Sequence, residues 1–149
     1  MQYSTGSLGR IFVVRFDDGE DFLQELSHFV RDQGIASGLA IYLGALMEGR
    51  MVTGPEEAVI PPVPHVEAFS GGWEVFGVAS IYPGAEESRI HYHASIGRGT
   101  EAFTGCIRQA ATAYLVVEAI IFEFAGLNAQ RGYDERTGLI LPMLERRPD

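Results

Sequence analysis

The spacing of apolar positions changes character several times along the chain. Arg10 to Phe16 (RIFVVRF) is a short apolar, β-branched run suited to a buried strand, and the DDG that follows breaks it. From Glu20 to Gln33 the apolar positions Phe22, Leu23, Leu26, Phe29 and Val30 recur at helical spacing. Acidic residues crowd the first turn and Gly34 supplies a left-handed stop, so the segment is predicted to be a helix. Gly38 to Val52 returns to strand-like composition, with Gly44 marking a bulge or a close backbone approach. The proline-rich Pro55 to His65 is expected to be an irregular surface connection. Trp73 to Tyr82 and Ser88 to Ile96 flank a PGAEE turn as a hairpin. Ala111 to Phe124 is predicted as a long strand and Gly138 to Leu144 as a last one. One helix with about seven or eight strands predicts an α+β fold, a curled, mostly antiparallel sheet with the helix on one side.

Composition narrows the class. With 149 residues, 46% hydrophobic and 21% charged, residues 1–149 are expected to form one domain around one core. No apolar run approaches the roughly 20 residues that span a bilayer, and MQYSTGSLGR lacks a signal-peptide pattern, so the expectation is a cytoplasmic protein. One cysteine forms no internal disulfide, which leaves Cys106 available for packing, metal or redox chemistry. The net charge is −9 and the chain has no lysine. Its arginines are scattered apart from Arg146 and Arg147, so there is no basic stripe to neutralise phosphates, which opposes nucleic-acid binding.

The chemistry concentrates in RIHYHASIGRGTEAFTGC, residues 89–106. On a strand, His91 and His93 point to one face while Tyr92 faces the other way. Two imidazoles so placed can share one ion, and a thiolate arriving from a nearby loop would complete an N, N, S set that suits zinc. Gly97, Gly99 and Gly105 would let the intervening chain fold back. Read from these residues alone, the alternative stands: a hydrogen-bonded surface histidine pair and a cysteine that is a small buried hydrophobe.

Other charged residues divide by context. Glu118 and Glu123 in YLVVEAIIFEF suit an exposed edge, and Glu74 the solvent face of its strand. Glu67, which follows the proline segment, is the better candidate for a cleft, as a general base or a partner of the histidines. Arg15 is placed to pair with Asp17 or Glu20. His28 falls among polar helix positions, and His65, in the proline segment, is expected to be exposed.

Five stretches together resemble the plants-and-prokaryotes conserved (PPC) domain family over nearly the whole chain. They are VVRFDDGEDFLQELSHFVRDQGI, GLAIYLGAL, RIHYHASIGRGTEAFTGCI, the strand ending in Glu118, and RGYDERTGLILPML. In that family the central segment reads H-x-H, a glycine-containing loop, then Gly-His, with three zinc-binding histidines. His91 and His93 match the first two, and Cys106, after Gly105, stands where the third is expected. Zinc accepts thiolate readily, so a retained site His91, His93, Cys106 is favoured, with copper or iron left open. In RGYDERTG, Arg131, Asp134 and Thr137 match the closing turn, a structural feature. The resemblance further implies a homotrimer with zinc sites near the subunit boundaries, and a fold similar to acetolactate decarboxylase, which holds zinc with three histidines and acts on small oxo acids.

Three functions are compatible with this reading. The first is a zinc-binding homotrimer of undefined cellular role, in a family often labelled DNA-binding. The plant members carry separate AT-hooks, however, and no Arg-Gly-Arg hook flanked by prolines occurs here. The second is a zinc-dependent enzyme acting on a small carbonyl or oxo-acid molecule, with Arg15 or Arg98 holding a carboxylate and Glu67 as base. The third is a structural trimer with a vestigial site.

Overall fold

A computed structural model describes residues 1–85 and 88–144. In chain order the elements are β1 (Ser7–Asp17), α1 (Phe22–Asp32), β2 (Gly38–Pro55), β3 (Pro64–Pro83), β4 (Ser88–Arg98), β5 (Glu101–Ala125), β6 (Ala129–Asp134) and β7 (Leu139–Leu144). The first five strands form one antiparallel sheet in the order β1-β5-β2-β3-β4, and β6 and β7 form a separate hairpin. Part of the predicted PGAEE turn, and Arg146 and Arg147, lie outside the described residues.

The large sheet closes on itself. One edge of β5 pairs with β2 from Cys106 to Glu123, while its other edge is divided between β4, at residues 101–106, and β1, at residues 116–125. β2, β3, β4 and β5 therefore make a ring, with β1 beside β4 along the same strand. Between β4 and β1 the gap is filled by the turn that leads into the helix, where Gly19 N–H donates to Ala113 O and Ala113 N–H donates to Glu20 O.

Alternation decides what the ring encloses. Phe16, Ala40, Tyr42, Ala79, Tyr92, Ala119 and Ile121 point inward and are buried. α1 covers this face. Asp21 caps it by accepting from the Leu23 and Gln24 N–H groups at 3.0 and 3.1 Å, and Phe22, Leu26 and Val30 form its buried stripe. The Phe22 ring lies 5.1 Å from Phe16, 4.7 Å from Tyr42 and 5.8 Å from Tyr92. Tyr92 also donates its hydroxyl to Leu23 O at 3.2 Å, tying β4 to the helix.

Five strands exceed their predicted limits, and in β2, β3 and β5 the difference changes the picture. β3 begins at Pro64 rather than Trp73, and β2 runs on to Pro55, so the proline segment is the tip of a long hairpin whose irregular part spans residues 56–63. β5 begins at Glu101 rather than Ala111 and is an interior strand; Glu118 is exposed on its solvent face, not at an edge. Where a close approach was expected, Gly44 has φ +139°, and an added Cβ would strike the Val116 carbonyl. β6 was not anticipated as a strand; its hairpin turn follows Asp134, whose Oδ1 accepts from the Arg136 and Thr137 N–H groups.

Candidate metal centre

His91 and His93 stand on β4 two residues apart and project to the face opposite Tyr92, which is buried in the core. Their Nε2 atoms approach to 3.1 Å, with ring centroids 4.9 Å apart. Cys106 does not arrive from a loop. It lies within β5, directly across from His93 on one side and from Val52 on the other, at the point where β2, β4 and β5 meet. The physical reason is pairing: EAFTGC has too few alternating apolar positions to read as a strand, and it is held extended by β4 after a tight turn at Gly99, φ +61°. Gly105 permits the seam, since an added Cβ would run into the Val52 carbonyl.

The ligand atoms of His91, His93 and Cys106 lie within 4.8 Å of one another. Around tetrahedral zinc, bonds of about 2.0 to 2.3 Å place neighbouring ligand atoms about 3.3 to 3.6 Å apart. The set therefore needs about 1 Å of closure, within the reach of side-chain rotation. Both imidazoles and the sulfur are donors that zinc favours. His91 is half-buried, and burial, then the charges of Arg131, the neighbouring His93 and Arg108, push its pKa down to about 4. At neutral pH it is an uncharged imidazole with a lone pair to give.

Two cavities meet at this group, and His91, Cys106 and Arg108 line both. One, of about 700 Å³, is walled by Pro55, Pro62, Pro64 and Thr104 and includes His93. The other, of about 450 Å³, is lined by Arg89, Arg131, Ile90, Ile107 and Ile140. Arg108 donates from Nε to the Cys106 sulfur at 3.1 Å.

The other predicted residues are placed elsewhere in the chain. Arg15 is exposed on β1 and pairs with Asp17 at 2.6 Å, as expected. Arg98 donates to the Ser70 carbonyl at 3.2 Å. Glu67 turns to a different histidine from the pair on β4; it meets His65 Nε2 at 3.0 Å, and Glu56 meets His65 Nδ1 at 2.8 Å. That makes His65 the centre of a carboxylate–imidazole–carboxylate clasp at the start of β3. None of Arg15, Arg98 and Glu67 lines either cavity; Arg108 and Arg131 do. Arg108 was not legible, because the i, i+2 rule that would relate it to Cys106 applies only on a strand, and the sequence does not show β5 before Ala111. Arg131 was read only as part of a turn, and the sequence carries no signal that β6 would bring it here.

The Plants and Prokaryotes Conserved domain matches residues 3–125. The chain belongs to this family. Among solved structures, a metal-containing protein from Archaeoglobus fulgidus is similar at 20% identity and a TM-score of 0.83, over 96% of this chain and 99% of that one. A PPC protein from Pyrococcus horikoshii is similar at 22% identity and a TM-score of 0.80, over 97% and 99% of the two chains. A protein from Bacteroides thetaiotaomicron, named as a candidate DNA-binding protein, follows at 21% identity and 0.78, over 98% and 99%. No curated protein gives a significant match. The family's mostly antiparallel sheet with one helix is thus the fold of this chain. Among the described residues no helix is long and apolar enough to cross a membrane.

Proposed function

We propose that this PPC-domain protein binds one metal ion, zinc, through His91, His93 and Cys106. The observation that carries the reading is the convergence of the three ligand atoms to within 4.8 Å on two strands whose pairing sets their positions. The metal-containing Archaeoglobus relative supports it. Metal counting on purified protein tests it: about one zinc per chain in the wild type and none in the His91→Ala, His93→Ala double variant. Stoichiometric metal in the double variant refutes the assignment, and a metal-free wild type leaves the reading of a structural protein with a vestigial site.

The assembly that accompanies this reading is a homotrimer. It is supported by the outer face of the sheet, where Val13, Ile120, Ile41, Val78 and His93 are successive cross-strand neighbours. Val13 is 79% exposed, and Phe76, one row away, 60%. An apolar row that ends on a proposed ligand suits a subunit boundary near the metal. DNA binding does not follow from the name of the Bacteroides relative: with a net charge of −9 and no lysine, this chain has little to neutralise a phosphate backbone.

A second reading is favoured by the cavities beside the site. Three protein ligands leave an open position, and a zinc ion there would supply Lewis acidity toward an oxygen of a small carbonyl or oxo-acid molecule. The expected resemblance to acetolactate decarboxylase points the same way, as analogy of fold only. In this chain Arg108 and Arg131, rather than Arg15 or Arg98, are the cations positioned to orient such a molecule.

A further inference from the structure

Arg131 is a cation in an unusual setting. It is 8% exposed. Its Nη2 donates to Ser80 Oγ at 2.8 Å and its guanidinium lies 5.9 Å from the Tyr82 ring centroid, but its buried Nε has no hydrogen-bond acceptor. Among the described residues no carboxylate pairs with it. A buried charge without a counter-charge is costly, by several kcal/mol in general, and one hydroxyl and a ring face compensate only part of that.

The surroundings add to the excess. Arg89 and Arg108 line the same cavity of about 450 Å³, and its described lining contains neither aspartate nor glutamate. The groups beside Arg131 able to carry negative charge are the Tyr82 phenol and the Cys106 thiol, and the thiol is already engaged by Arg108 Nε. Ile90, Ile107 and Ile140 supply apolar wall. In a chain of net charge −9, three guanidiniums gathered around one apolar-walled space form a local field of opposite sign to the molecule as a whole.

We infer that this cavity is a binding site for a small oxyanion, a carboxylate or a phosphate group on a short apolar body, held by Arg131 and Arg108 with Arg89 at its mouth. The guanidinium fork matches either group in two-point hydrogen bonding. The volume of about 450 Å³ lies within the range of small-molecule pockets and leaves ample room for such a molecule. The site stands on the guanidiniums and not on the metal, although the two adjoin through His91 and Cys106.

The test is calorimetric titration at constant ionic strength, with chloride as the balancing anion. The probes are propionate, its neutral isostere propionamide, and inorganic phosphate, applied to native and to metal-stripped protein. Saturable binding of propionate or phosphate, with propionamide inert, is expected, and the stronger of the two identifies the head group. Arg108→Gln and Arg131→Gln should each weaken it tenfold or more, and Arg131→Gln, which touches no proposed ligand, should leave the metal content unchanged. If Arg131→Gln does not fold, Arg131→Lys, which keeps the charge and removes the fork, takes its place beside the exposed Arg108→Gln. Failure of both oxyanions to bind, equal binding of propionamide, or wild-type affinity in the arginine variants overturns the inference. So does loss of binding on metal removal alone, which would place the anion on the ion. Absence of metal from the native protein with oxyanion binding intact would refute only the metal assignment.

Discussion

Replacing Cys106 with serine removes the one soft ligand of the proposed site and changes little else, because the hydroxyl is close to isosteric and the position is fixed on both sides by strand pairing with Val52 and His93. Apparent zinc affinities of about 10 to 16 kcal/mol shared by four ligands give about 2.5 to 4 kcal/mol for each. At about 1.4 kcal/mol per factor of ten, the serine variant should lose about 10²- to 10³-fold in affinity. Cys106→His should keep the metal, since the 700 Å³ cavity beside the residue has room for an imidazole and the third ligand is restored. Competition against a chromophoric chelator measures both. Thiol labelling gives an independent reading: a metal-bound thiolate resists the reagent until a chelator removes the ion, whereas a cysteine that is only buried, at 6% exposure, reacts slowly in either condition. Wild-type zinc affinity in the serine variant, together with labelling that ignores the chelator, would refute the ligand role and leave the histidine pair in need of a different partner.

The proposed trimer predicts a sedimentation mass of three chains, and Phe76→Glu, a charge on the exposed apolar face, should release folded monomers; an unchanged mass in the variant, or a monomeric wild type, contradicts it. Duplex DNA should not shift in a mobility assay near physiological salt, and submicromolar, salt-sensitive binding would overturn the charge argument. Glu123 joins β5 to β1 through three bonds from Arg10, from its side chain at 2.7 and 2.8 Å and from its backbone N–H at 3.2 Å, and these hold the Glu123 pKa down to about 2, from an ordinary 4.5. A depressed carboxylate stabilises the fold above its unfolded pKa and ceases to do so as pH falls through the folded one. Glu123→Gln should therefore lower the urea midpoint at pH 7 and lose that effect toward pH 2; a deficit that is the same at both would refute the pairing. His65, held between Glu56 and Glu67, should titrate above 6.5 by NMR, falling back in Glu67→Gln.

Local pattern was enough for the elements whose stabilising contacts are close in sequence. The helix was legible because Asp21, the stripe Phe22, Leu26 and Val30, and Gly34 all lie within one segment, and His91 and His93 share a face by the two-residue repeat of any strand. The side to which they turn was also legible, through the aromatic Tyr92 between them. What the sequence could not display is the ring closure. Residues 101–106 are a strand only because β4 pairs with them, and Cys106 meets His93 only because β5 is long enough to serve β4 at one end and β1 at the other. Arg131 lies far beyond Cys106 along the chain, on a hairpin with no periodic signal of its own, yet it reaches Ser80 and the cavity beside His91. Spacing carries information about side chains on one element, whereas a site assembled from β4, β5 and β6 depends on non-local pairing, whose energy is shared among backbone hydrogen bonds that every residue type but proline can make in full.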